Sequence, residues 1–221
     1  MDKVLLVHGM FMNAFLMSPF VKKLKDAEYD VKVFSYPLIP ETDDVTTRFI
    51  KEVNDFRPQI IVGHSLGGTI TAYHLKQFPS LEKVVCLGSP LNGSTLGRTI
   101  SQGKTSWMLP KAIRLIATDG VTIPLDTPVR IGVIAGTDDT FNLFRVASTF
   151  KLFGLLPNAK GLEGYKKLPE NDGVVLVSET QVGENIPHTK VFTSHTGLVF
   201  SGQVHEQTLH FLKYGSFLKS V

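Results

Sequence analysis

Residues Ile60 to Ile70, IIVGHSLGGTI, join a β-branched apolar run to a helix-like segment through Gly-His-Ser-Leu-Gly-Gly. Turning a strand into a helix within about four residues forces the central residue to a positive φ, which is tolerated where flanking side chains are absent. Gly63 and Gly67 supply that absence, and Gly68 lets the following helix pack closely. A serine on such a bend, Ser65, carries its hydroxyl above a sheet edge, beside N–H groups at a helix N-terminus that favour negative charge. Ser65 is therefore the expected nucleophile, against the plainer alternative of a polar turn. Two rival readings of the glycines fail on inspection. Thr69 follows Gly68 where a phosphate-binding loop needs Lys, and the dinucleotide pattern Gly-x-Gly-x-x-Gly is absent.

A serine hydroxyl needs a base to take its proton, and a histidine on a loop after a strand is the usual source. Of seven histidines, His195 fits best: it ends the strand-like TKVFTSH and precedes TGLVFSGQV, which leads into the last helix. His8 reads as a turn residue under the site, His64 as pointing elsewhere, His74 as part of the elbow helix and His188 as a loop residue. His205 and His210 belong to the terminal helix. A metal pair from HEQTLH fails because five residues turn about 500°, leaving the rings about 140° apart. With no cysteine cluster or carboxylate-rich loop either, no metal and no cofactor is expected.

The base needs a carboxylate to orient it. Asp138, beside Asp139, directly follows the strand VRIGVIAGT, although it could equally cap a helix there. Asp172 lies in an Asn-Asp-Gly turn twenty-three residues before His195, a sequence that also favours a simple β-turn. Order along the chain admits both. Negative charge developing on a carbonyl oxygen needs preorganised N–H donors. The expected donors are Leu66, immediately after the serine, and Met10 in the turn HGMFMN, with Phe11 as the alternative.

Elements must bring these residues together. Strand-like runs at 3–9, 29–36, 60–63, 83–90, 129–137 and 189–195 alternate with helical patterns at 13–27, 43–56, 66–78 and 204–214. That alternation predicts a doubly wound α/β fold with a mostly parallel sheet of about six strands. A chain of 221 residues, 43% of them apolar, suits one domain. Segments 91–128 and 138–188 exceed ordinary connections and leave from the C-terminal ends of strands, so cap insertions over a site are expected there. A net charge of +3 with mixed signs gives no basic stripe, so nucleic acid is excluded as a partner. Cys86, the lone cysteine, reads as a buried apolar residue. The N-terminus enters a strand at once and no window approaches a spanning helix, so a soluble, cytoplasmic protein is expected.

With VLLVHGM, IIVGHSLGG, NDGVV and SHTGLVFSGQV in this order, the sequence resembles the α/β-hydrolase family, and within it bacterial triacylglycerol lipases and small serine esterases. The resemblance spans nearly the whole chain at scattered sites and implies an abbreviated form of that fold. It implies Met10 as an oxyanion donor, Asp172 rather than Asp138 as the acid, and a small-molecule or lipid ester as substrate. Acyl transfer, thioester hydrolysis or a non-catalytic binding role on the same scaffold are the alternatives. In the second insertion, Phe141, Phe144, Phe150 and Phe153 form a stripe read as core or as the wall of an acyl pocket. Around Trp107, Met108 and Leu109, with Lys111 and Arg114, the first insertion reads as a cap helix or as a lid touching a lipid surface transiently. Pro110 and Gly103 mark that segment as a candidate moving part. No protein partner is expected.

Overall fold

The computed structural model describes residues 1–10, 12–36, 44–102, 119–123, 127–140 and 169–219. Phe11, the segment containing Gly103 to Arg114 and the Phe141 to Phe153 stripe lie outside the described residues. Six strands form the sheet: β1 (Lys3–Val7), β2 (Asp30–Phe34), β3 (Ile60–His64), β4 (Lys83–Leu87), β5 (Arg130–Gly136) and β6 (His188–Val191). Their order is β2-β1-β3-β4-β5-β6 and every pairing is parallel. The helices are α1 (Ser18–Asp26), α2 (Asp44–Phe56), α3 (Leu66–Tyr73), α4 (Thr95–Gln102), α5 (Val177–Thr180), α6 (Gly197–Phe200) and α7 (Gly202–Tyr214), with short 3₁₀ turns at Ala14–Met17 and Leu75–Gln77.

Side chains alternate across each strand, so neighbouring residues enter different cores. Leu5, Val7, Ile61, Val84 and Cys86 face α2 and α3, joined by Val45, Phe49, Val53 and Ile70. Val4, Leu6, Ile60, Val62, Val85 and Leu87 face α1, α6 and α7, joined by Phe20, Leu24, Leu198, Val204 and Phe211. Both faces are thus covered, which is why the central strands read as continuous apolar runs. Val45, Phe49 and Val53 recur at four-residue spacing, giving α2 one apolar stripe. Pro19 stands in the first turn of α1, where its missing N–H costs nothing. Gly215, at φ 71°, ends α7 in the left-handed conformation, its N–H donating to the Phe211 carbonyl at 2.7 Å.

The strand order reverses at β1: the chain goes first to β2 on one side, then crosses to β3 on the other. Connections leaving β1 and β3 therefore diverge to opposite faces and open a crevice at their C-terminal ends. The turn after β1 carries Met10 and the turn after β3 carries Ser65. At the β2 edge, Asp30 and Lys32 face outward, and Lys32 pairs with Glu52 of α2. Among the described residues, no helix is long and apolar enough to cross a membrane.

Phe211 is fully buried, stacks on Phe217 at 5.0 Å between ring centroids, and lies so close to β5 that a Cβ at Gly132 would fall 2.6 Å from its ring. Phe211→Ala leaves a cavity that the sheet cannot collapse to fill, and is expected to cost about 3–5 kcal/mol. A urea denaturation midpoint that barely moves would contradict this packing.

Candidate active site

Ser65 sits between β3 and α3 at φ 52° and ψ −121°, a region costly to any residue with a side chain. The bend is held on both sides: the Ser65 N–H donates to the Leu87 carbonyl at 2.8 Å, and its carbonyl accepts from the N–H of Gly68 at 3.1 Å. Helix α3 presses its backbone onto the strands. A Cβ on Gly67 would lie 2.4 Å from the Val7 oxygen, and one on Gly63 would lie 2.4 Å from the Gly68 Cα. The three elbow glycines are therefore required by contact. Leu66 to Ala72 are all buried, so the apolar body of α3 offsets the strain at its head.

His195 lies on the loop after β6, 8% exposed, and its Nδ1 is 2.7 Å from Oδ2 of Asp172, which is 1% exposed. The other carboxylate oxygen accepts the N–H groups of Val174 at 3.0 Å and Val175 at 2.8 Å. Asn171 closes the same turn by accepting the Gly173 N–H at 2.9 Å. The Asn-Asp-Gly turn is thus a holder that aims one carboxylate oxygen at an imidazole. The pair rests over the end of β4: a Cβ on Gly88, at φ 54°, would fall 3.0 Å from Asp172 Oδ2 and 3.2 Å from His195 Nδ1. Leu87, directly before Gly88, is the residue that holds the Ser65 N–H.

On the other side of Ser65 is the turn after β1, close enough that a Cβ on Gly9 would be 3.0 Å from the Ser65 Cβ. His8, buried, accepts the Tyr36 N–H at Nε2 (3.2 Å), so its Nδ1 carries the proton and donates to the Gly9 carbonyl at 2.8 Å. Tyr36 stacks on the same ring at 4.1 Å and donates its hydroxyl to the His8 carbonyl at 2.7 Å. Fixing the Gly9 carbonyl turns the Met10 N–H, on the far side of the same planar peptide, the opposite way.

The structure therefore brings His195 and Asp172 into contact and sets Ser65 between their support and the Gly9–Met10 turn, with Leu66 opening α3. Asp138 is not part of this group. Its backbone N–H donates to the Thr193 carbonyl at 3.1 Å, while its exposed carboxylate accepts the Thr140 hydroxyl and N–H, which hold the carboxyl below its ordinary value. His188 is the first residue of β6 rather than a loop residue, and its Nε2 meets the Thr180 hydroxyl at 2.8 Å. His205 reaches the Val199 carbonyl at 2.8 Å and His210 the Ser216 carbonyl at 2.7 Å, while His74 ends α3 and accepts from Gln77. Among the described residues no cluster of His, Cys, Asp or Glu gathers as a metal site.

Two contributors escaped the sequence. His64 points at the His195 backbone, its Nε2 2.9 Å from that carbonyl. Glu179, 5% exposed, accepts the Thr95 N–H at 2.5 Å and the Leu176 N–H at 3.0 Å, tying α4 to the Asp172 turn. The Glu179–Leu176 bond is a local cap at the start of α5, but the bonds that reach His195 and Thr95 join residues 131 and 84 positions apart, which no local motif marks.

No protein-family model and no curated protein matches the sequence. Solved structures do resemble the chain. The mature lipase BlEst2 of Bacillus licheniformis is 14% identical, with a TM-score of 0.63 over 98% of this chain and 92% of that one. A lipase-esterase related protein of Clostridium acetobutylicum is 19% identical, with a TM-score of 0.56 over 95% and 94%. An extracellular α/β-hydrolase from a Paenibacillus species is 13% identical, with a TM-score of 0.54 over 99% and 100%. The sheet order, the elbow and these likenesses together establish that the chain has the α/β-hydrolase fold, as its motifs imply.

Burial lowers the pKa of His8, His74, His188 and His205 below 6.5, and burial followed by the neighbouring His195 takes His64 down to about 3. At each, the unfolded chain binds a proton that the folded one refuses, so stability is full above the ordinary histidine value and is lost as pH falls below it. The thermal midpoint is expected to drop between about pH 7.5 and about pH 5. A midpoint that stays level or rises over that range would show that these rings are not held neutral.

Proposed function

We propose that the protein is a serine hydrolase that cleaves carboxylic esters through an acyl-enzyme on Ser65. The observation that carries this reading is the buried His195–Asp172 hydrogen bond of 2.7 Å beside a strained elbow serine. Lipase and esterase names among the structural relatives support the same chemistry. Ser65 Oγ attacks the ester carbonyl carbon while His195 Nε2 takes the hydroxyl proton. Asp172 keeps the proton of His195 on Nδ1 and stabilises the imidazolium that forms. The N–H groups of Leu66 and Met10 donate to the oxygen that gains negative charge. His195 then returns its proton to the leaving alcohol, and a water deprotonated by His195 releases the acid and restores Ser65.

A fluorophosphonate probe reads the activated serine directly. Labelling and p-nitrophenyl ester hydrolysis are both expected to vanish in Ser65→Ala and to fall steeply in His195→Ala. Labelling that persists without Ser65, or is indifferent to His195, would overturn the proposal. Asp172→Asn leaves the imidazole in the wrong tautomer and is expected to lower kcat by about 10⁴-fold. Asp138→Asn, whose carboxylate serves only Thr140 among the described residues, is expected to stay within about twofold of the parent. The opposite ranking of these two variants would reassign the acid.

A further inference from the structure

His64 precedes the elbow serine and is 1% exposed. Its Nε2 lies 2.9 Å from the carbonyl oxygen of His195, 131 residues away, and the two rings stand 4.7 Å apart. A carbonyl oxygen only accepts, so the nitrogen facing it carries the proton and the lone pair sits on Nδ1. Nδ1 has no hydrogen-bond partner among the described residues, and a Cβ on Gly9 would fall 2.7 Å from it. The ring is wedged between the turn after β1 and the loop after β6. A buried polar nitrogen left unsatisfied is a cost, and such a cost is borne where the rest of the group does something useful.

That use follows from how His195 is held. Its N–H donates to the Asp172 carbonyl at 2.9 Å and its carbonyl accepts from His64 at 2.9 Å. With the peptide groups on both sides of its Cα pinned, the direction of the Cα–Cβ bond is set. The Asp172 carboxylate then fixes the remaining side-chain rotation through Nδ1. Removing the His64 clamp frees one of those two peptide groups and leaves the carboxylate alone to aim the ring. Burial keeps His64 neutral, and a neutral Nε2–H tautomer makes one directed bond here without placing a second positive charge beside the imidazolium.

We propose that His64 is a positioning residue, donating from Nε2 to the His195 carbonyl so that the His195 ring is delivered to Ser65 while the His64 ring props the Gly9 turn. The proposal deepens the hydrolase reading and rests on it for its catalytic consequence. Two measurements test it. In the parent protein, long-range ¹H–¹⁵N correlation of the imidazoles is expected to show His64 as the neutral Nε2–H tautomer; an Nδ1–H tautomer would overturn the clamp whether or not the protein cleaves esters. In His64→Met, which keeps bulk but has no donor, kcat is expected to fall about 10- to 100-fold with KM changed less than about threefold. His64→Gln, whose side-chain amide can donate to the same carbonyl, is expected to recover most of that loss. A Met variant within twofold of the parent, or a Gln variant no better than Met, would overturn it. Hydrolysis that survives Ser65→Ala would instead defeat the hydrolase reading and leave the tautomer measurement to decide the clamp.

Discussion

Backbone pressed on backbone at the elbow is the constraint from which the rest of the site follows. Gly67 lies against the Val7 carbonyl of β1, and Gly63 against Gly68, each too close for any Cβ to stand between them. This contact lets α3 begin one residue after β3 ends, and it obliges Ser65 to take a conformation costing about 1–3 kcal/mol. The strain is sustained because α3 is buried along most of its length. It places a hydroxyl where β1 and β3 diverge, the one position of the sheet where the connections themselves leave room for a ligand.

Asp172 and His195 show a different economy. Both come from the chain between β5 and the end of the fold, and they are joined twice, backbone to backbone and ring to carboxylate. Two strand ends lacking side chains make the space: Gly88 after β4, and Gly136 of β5, where a Cβ would be 2.8 Å from the Asp172 Cβ. The pair is therefore carried by the rigid centre of the sheet even though both residues lie on loops.

Much of this was legible in the letters because it is locally encoded. β-Branched runs marked all six strands within a few residues, and glycine spacing marked the elbow. The Asn-Asp-Gly turn was equally visible, but as turn chemistry, and the sequence by itself left Asp138 as good an acid. What separates them is that the Asp138 carboxylate is satisfied two residues along by Thr140, while Asp172 spends one oxygen on its own turn and turns the other to the His195 ring. Tertiary partners were not legible. His64 looked idle because its partner is 131 residues away, and His188 looked like a loop residue because β6 is only four residues long. Short helices α5 and α6 were missed for a similar reason: at four residues neither is long enough to show a helical period.

The outer rim of the sheet has a consequence for how molecules meet in concentrated solution. At β2, alternate positions present Asp30 and Lys32 to water, and Lys32 is tethered back to Glu52. A second molecule approaching to add its own strand there would have to strip water from these charges before any ladder could form. The acid and the amine thus act as fenders, keeping a row of backbone groups that no described strand pairs from recruiting neighbours into a shared, growing sheet.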